Sequence, residues 1–254
     1  MSWGEIKKAI NSTLGTSGFL PLDKLIPYYI AKGSGTDIVE YTTPGVYTVI
    51  VPIWASNARI TACAGGGGGY ANQTGTGGGG GGAAILNKLY TVPNAIKDTR
   101  ISVSVGSGGD GCYYKDGSGS SYDVFGPYDG GNTTISALNI MLLGGKKGTG
   151  TSGGAAGGTG GGAGGDPGTR NTAGGTGGAG VSGAGGKGAS YYAGGGGGSL
   201  GAGGAGSYGS GSGTPPGGDG KLGGGGGACS TPNSPSYAHS GKGGDGYVKI
   251  EWLL

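Results

Sequence analysis

The stretch Gly174-Gly175-Thr176-Gly177-Gly178-Ala179-Gly180-Val181-Ser182-Gly183-Ala184-Gly185-Gly186 decides how this chain is read. Glycine returns at 174, 177, 180, 183 and 186, a step of three, while Thr176, Ala179 and Ser182 keep a second register that faces outward. A polyproline-II-type helix has that period: about three residues per turn, about 3.1 Å of rise and no hydrogen bonds within itself. Its N–H and C=O groups point outward and must find partners on neighbouring segments. Only glycine lets backbones approach that closely, because any β-carbon holds them apart. Gly154, Gly157 and Gly160 repeat the register. The runs Gly77 to Gly82, Gly194 to Gly198 and Gly223 to Gly227 suit segments surrounded by others. Tyr191-Tyr192, Tyr208 and Pro215-Pro216 suit the turns between them.

The competing reading is a flexible linker. Ordering about a hundred residues costs on the order of 100–200 kcal/mol in conformational entropy, and a glycine-rich segment has little apolar surface to offset it. The step of three favours an ordered polyglycine-II helix bundle over residues 144–245, inserted before the last strand.

Working outward, glycine supplies 74 of 254 residues, against roughly 7 % in ordinary domains. Collagen is excluded, because 11 prolines and uninterrupted glycine runs cannot hold a Gly-X-Y repeat. A net charge of +3 with scattered positives does not point to nucleic acid. No run of about 18 apolar residues suggests a membrane span. The opening residues lack the apolar core of a signal peptide, so synthesis in the cytoplasm without a secretion signal is expected. Cys63, Cys112 and Cys229 form no CxxC pair, which argues against a zinc or disulfide framework.

Residues 33–143 alternate strand signals with glycine. Gly45 to Val51, Ala58 to Cys63, Ile85 to Val92, Arg100 to Val105 and Thr133 to Leu143 each read as a strand. Residues 246–254 close the chain with Tyr247-Val248-Lys249-Ile250-Glu251-Trp252, which alternates cleanly and must return to pair with earlier strands. The expected fold is mainly β: a small antiparallel β-sandwich with the glycine bundle as an insertion. Residues 1–32 read as a separate helical leader. Ser2-Trp3-Gly4-Glu5 fits a capping box, and Trp3, Ile6, Ile10 and Leu14 fall near helical spacing. So short a stripe cannot bury itself; it packs on the body or, preferably, docks on another protein.

Gly45-Val46-Tyr47-Thr48-Val49-Ile50-Val51-Pro52, then Ala58-Arg59-Ile60-Thr61-Ala62-Cys63-Ala64 and a glycine run, with a closing Gly-Tyr-Val-x-Ile-x-Trp strand, resemble the glycine-rich domain of bacteriophage tail proteins. The leader, Trp3 to Asn11 with Pro21 to Ile26, looks like the N-terminal piece of tail proteins from phages of Firmicutes. The resemblance implies a tail appendage or tail-tip protein in the virion, made in the host cytoplasm. In similar fibre-tip adhesins a polyglycine-II sandwich presents variable loops to the host receptor. The strands ahead of the glycine block depart from those adhesins and resemble a tumour-necrosis-factor-like jelly-roll sandwich with a polyglycine insert.

The chain shows no enzyme signature. Gly106-Ser107-Gly108-Gly109-Asp110-Gly111 matches a dinucleotide fingerprint, but no helix opens after it. His239 has no nucleophile motif around it. Asp110 and Asp116, with Asp123 and Asp129, are weak cation candidates, though Asp-Gly steps form turns first. No cofactor or metal is expected. The loops carry the functional signal instead. Tyr113, Tyr114, Tyr122, Phe125 and Tyr128 crowd one loop, and Tyr191, Tyr192, Tyr208, Tyr237 and His239 sit in the breaks of the glycine region. Tyrosine with Ser, Gly and Asn is the composition of binding loops; the same rings would serve structurally by capping glycine segments. The expected partners are virion proteins at the leader and a host-surface glycan or protein at the rings, with self-assembly as a further option. The alternative is a purely architectural tail or decoration subunit.

Overall fold

The computed structural model describes residues 36–72, 75–116, 122–209, 214–231 and 238–254. The expected docking residues Trp3, Ile6, Ile10 and Leu14 lie outside the described residues, as do Tyr237 and the side chains of Tyr114, Asp116 and Tyr122. The chain divides into compact units Met1–Asp37 and Ile38–Leu254.

The protein is mainly β. Its strands are β1 (Thr36–Tyr41), β2 (Gly45–Ile50), β3 (Asn57–Cys63), β4 (Ala71–Asn72), β5 (Ala84–Thr91), β6 (Arg100–Val105) and β7 (Tyr113–Asp116), followed by β8 (Tyr122–Phe125), β9 (Thr133–Ile135), β10 (Ile140–Leu142), β11 (Ser207–Tyr208), β12 (Cys229–Ser230), β13 (Ala238–His239) and β14 (Tyr247–Leu253). Two four-stranded sheets run β1-β14-β3-β5 and β10-β9-β6-β2. Two three-stranded sheets, β11-β12-β4 and β13-β7-β8, are assembled from the short strands.

Alternation builds the large sheets. In β14, Val248, Ile250 and Trp252 are buried while Tyr247, Lys249 and Glu251 face partly outward. This strand pairs antiparallel with β3 along its whole length, from Tyr247 opposite Cys63 to Leu253 opposite Asn57. On the other sheet Ile101, Val103 and Val105 of β6 are buried, and β2 pairs with β6 from Gly45 opposite Val105 to Ile50 opposite Arg100. Each such buried side chain contributes about 1.5–3 kcal/mol. Thr133 stitches the sheets together: its Oγ1 donates to the Cys63 carbonyl at 2.9 Å and accepts from Gly106 N at 3.0 Å, fully buried.

One sequence expectation is corrected. Thr133 to Leu143 is not one strand but the hairpin β9–β10, broken by a 3-10 turn at Ser136–Leu138 that ends on Asn139 with φ 52°. Asparagine tolerates that left-handed conformation. A large inserted helix bundle is not seen as a helical element. Among the described residues the only helices are the 3-10 turns Asn94–Ile96 and Ser136–Leu138.

The glycine segments are instead paired laterally. In Gly77–Gly82, Gly77 and Gly80 donate to Thr149 and Lys146, Gly78 and Gly81 to Gly165 and Gly162, and Gly79 and Gly82 to Gly226 and Gly223. The carbonyls of Gly77 and Gly80 accept from Tyr70 and Gly67, those of Gly78 and Gly81 from Gly154 and Gly157, and that of Gly79 from Gly197. Ser199 Oγ donates to the Gly82 carbonyl at 2.8 Å. Every third amide therefore faces the same neighbour, whereas a β-ladder uses both edges of a strand in alternation. The stretch 174–180 obeys the same rule: Gly174, Gly177 and Gly180 donate to Ala189, Gly186 and Gly183, while Gly175 and Gly178 donate to Asp166 and Ala163. Thr176 and Ala179 occupy the remaining direction and are exposed.

The close approach explains the composition. A Cβ at Gly80 would fall on the Ala155 carbonyl, and one at Gly196 on the Gly225 carbonyl. The segments shuttle between two ends. Strands of the large sheets give way to glycine at Cys63, Ala84, Val105, Leu142 and Tyr247; the short strands β4, β7, β11, β12 and β13 stand at the opposite, far end.

Candidate functional site

At the far end a small core of Ala71, Cys112, Cys229 and Ala238, with Tyr70 packed against it, underlies the short sheets. On β13-β7-β8 the register places His239 opposite Tyr113 and Tyr113 opposite Phe125. These three residues therefore share one face in a row across three strands, at roughly 4.8 Å per strand. The Tyr113 and His239 rings lie 4.5 Å apart, tilted by 50°, and Phe125 is 66 % exposed. A second group forms where β11 leaves the network: the Tyr191 and Tyr208 rings are 4.8 Å apart at 30°.

Not every predicted ring is placed for contact. Tyr192 is half-buried, and its carbonyl accepts from Thr76 N, Thr76 Oγ1 and Gly168 N, tying the turn to two segments. Tyr191 and Tyr192 have φ of 56° and 68°, a left-handed pair that bulky residues adopt rarely. Tyr128 is exposed but sits partway along the network, where its carbonyl accepts from Gly68 N and its amide donates to Asp110.

A family model described as a glycine-rich domain matches residues 42–253. The chain belongs to the glycine-rich domain family. No curated protein gives a significant match. In this glycine-rich domain protein the matched region takes in both large sheets from β2 onward, the whole glycine network and both ring groups.

The described residues contain no group of His, Cys, Asp and Glu able to hold a metal ion. The cation candidate Asp110 faces Lys242 at 3.7 Å instead. All three thiols are free and buried. Burial pushes Cys63 up to about 12 and Cys229 up to about 11, and raises Cys112 as well; none is poised as a thiolate.

Sequence reasoning missed a role for the aspartates: it read Asp129 as a turn former or weak cation candidate and did not single out Asp166, Asp219 or Asp245. Asp129 Oδ1 accepts from Lys147 N at 2.9 Å and Asp129 Oδ2 from Lys146 Nζ at 2.9 Å. Partial burial pulls this carboxyl up, but the hydrogen bonds from Lys146 and Lys147 outweigh it and hold Asp129 below the ordinary carboxylate range. Asp166, Asp219 and Asp245 accept backbone amides in the same way. A usable signal existed: each aspartate interrupts a glycine segment rather than joining two strands.

Proposed function

We propose that this glycine-rich domain protein is a bacteriophage tail appendage whose far-end rings bind a receptor on the host surface. The observation that carries the reading is topological. The rings of Tyr113, Phe125, Tyr191, Tyr208 and His239, scattered across the sequence, are gathered at one end of the glycine network and away from the large sheets. In this reading the two large sheets pack as a jelly-roll-like sandwich and the glycine segments are polyglycine-II helices. The three-residue repeat of hydrogen bonds around Gly77–Gly82 supports that assignment. At about 3.1 Å per residue a six-residue segment then holds the rings roughly 18 Å beyond the sheets. A scaffold without side chains inside it does not repack, so the rings are presented at low entropic cost. The leader, through Trp3, Ile6, Ile10 and Leu14, joins the chain to other virion proteins.

The row Phe125–Tyr113–His239 is the proposed centre of contact, since exposed rings on one sheet face stack on a sugar or an apolar protein patch. The test is binding of the purified chain to host cells and competition with phage adsorption. Binding is expected to drop at least tenfold in the variant F125A/H239A with the fold intact. Survival of binding after protease treatment of the cells would identify a glycan, and its loss a protein. Neither binding nor competition would leave the architectural role, a spacer or decoration subunit of the tail.

A further inference from the structure

A strand at the rim of a sheet presents unpaired N–H and C=O groups, and proteins blunt such rims with short strands, charges, bulges or covering chain. The two large sheets end on four strands, β1, β5, β10 and β2. Three of them carry such a defence. β10 is three residues long, β1 bears Asp37 and Glu40, and β5 holds Lys88 beside the left-handed Asn87 and the register shift between Ile60 and Ala62. β2 has none. Gly45-Val46-Tyr47-Thr48-Val49-Ile50 is six residues without a charge or a proline, and its register with β6 runs unbroken from Gly45 to Ile50. It is also the one strand of its sheet that runs into no glycine segment, since Thr42-Thr43-Pro44 precede it and Val51-Pro52 follow it. Val51 N, one step past the ladder, donates to Thr99 O at 3.0 Å. Alternation along an antiparallel pair then gives Gly45, Tyr47 and Val49 to β6 and turns the N–H and C=O groups of Val46, Thr48 and Ile50 toward the open edge. Among the described residues no hydrogen bond reaches those groups. The side chains of the same three residues stand on the outward face, with Val46 76 % and Ile50 57 % exposed.

We propose that β2 is an interface for a second copy of this chain, whose own β2 adds antiparallel to the open edge and joins the two four-stranded sheets into one. The occupant follows from self-complementarity. With Thr48 on a two-fold axis, Val46 stands opposite Ile50 of the second copy and Thr48 opposite Thr48. Each of these is a hydrogen-bonded pair, giving about six bonds between the strands. The outward side chains that meet are β-branched on both sides, which suits a pleated surface and stabilises cross-strand pairs. Charge raises no obstacle. The strand has none, and of the β6 residues paired with its outward positions, Ser104, Ser102 and Arg100, only Arg100 is charged, at the end of the ladder. One edge of six residues is a small contact, so the association is concentration-dependent. The inference does not rest on the receptor reading.

The test is sedimentation velocity of the full chain over a wide concentration range, with variants at Thr48. The parent is expected to show a sedimentation coefficient that rises with concentration. Thr48→Pro removes a donor on the open edge and leaves the ladder to β6 intact, a placement that edge strands tolerate; the rise should be lost. Thr48→Lys sets like charges opposite each other across the axis and should abolish it as well. Thr48→Val keeps donor and shape and should sediment like the parent. Thr48→Cys labelled with pyrene maleimide reads the geometry, because the three native thiols are buried. Pairing at Thr48 brings two labels together and gives excimer emission where the coefficient rises. A parent that keeps one coefficient throughout overturns the proposal. So does association that survives both Thr48→Pro and Thr48→Lys, or association of the labelled chain without excimer, since each places the contact elsewhere. Where Thr48→Pro loses amide protection across residues 101–105, the comparison of Thr48→Lys with Thr48→Val decides alone, and equal association of the two overturns it.

Discussion

Gly80 and Gly150 look alike in the sequence, and their surroundings separate them. A Cβ on Gly80 meets the carbonyls of Ala155 and Gly154, both backbone groups that cannot move without breaking their own bonds. At Gly150 the nearest atoms are Gly75 O and a Tyr70 ring carbon, each at 3.6 Å. Gly80→Ala is therefore expected to cost about 1–3 kcal/mol or more, and Gly150→Ala a few tenths at most, read as the shift in denaturant midpoint at constant slope. The cysteines offer a second check. Because burial raises all three thiols, the native protein is expected to resist an aromatic disulfide reagent at neutral pH and to react fully only after unfolding. Fast labelling of the native protein would contradict the buried placement. The aspartates illustrate what residue identity leaves open: Asp-Gly is a turn signal in general, yet Asp219 Oδ1 here receives the amide of Lys242 at 2.8 Å, a partner no local rule suggests.

Among the elements, the strands were the most legible. Val248, Ile250 and Trp252 announce a one-sided strand, and the structure buries all three. Thr133 to Leu143 misled because its apolar residues look continuous; Ser136–Leu138 turns the chain instead, and the left-handed Asn139 lets β10 fold back onto β9. The strand Ala84–Thr91 also departs from simple alternation. It is an edge strand, largely exposed, with Asn87 at φ 50° beside a register shift opposite Ile60–Ala62, the local kink of a bulge. Thr133 joins three elements at once, so its hydroxyl predicts a measurable coupling. Thr133→Val preserves shape but leaves the Cys63 carbonyl and the Gly106 amide without their partner. The expected loss is about 1–3 kcal/mol, with faster amide exchange at Gly106. An unchanged unfolding midpoint would show that the hydroxyl does not bridge the sheets.

Across the whole molecule, the glycine segments and the sheets form one hydrogen-bonded body over the described part of Ile38–Leu254. Gly66 N reaches Gly244 O and Gly79 N reaches Gly226 O, so local fraying at one segment exposes several others. Amides of 77–82, 194–198 and 223–227 are accordingly expected to exchange in the same slow class as those of β3 and β14, measured by hydrogen–deuterium exchange. Exchange within seconds would mean that the lateral bonds do not persist. Glycine spacing alone was sufficient to mark which amides share a direction and that backbones must lie in contact, since that follows from the absence of side chains at every third position. Which segment neighbours which, which end collects Tyr113, Phe125 and His239, and which aspartates face an amide were decided by the tertiary structure. One glycine segment offers the same donors and acceptors as the next, so it carries no preference among partners; the pairing is chosen only when the sheets anchor the segment ends and the connections close around them.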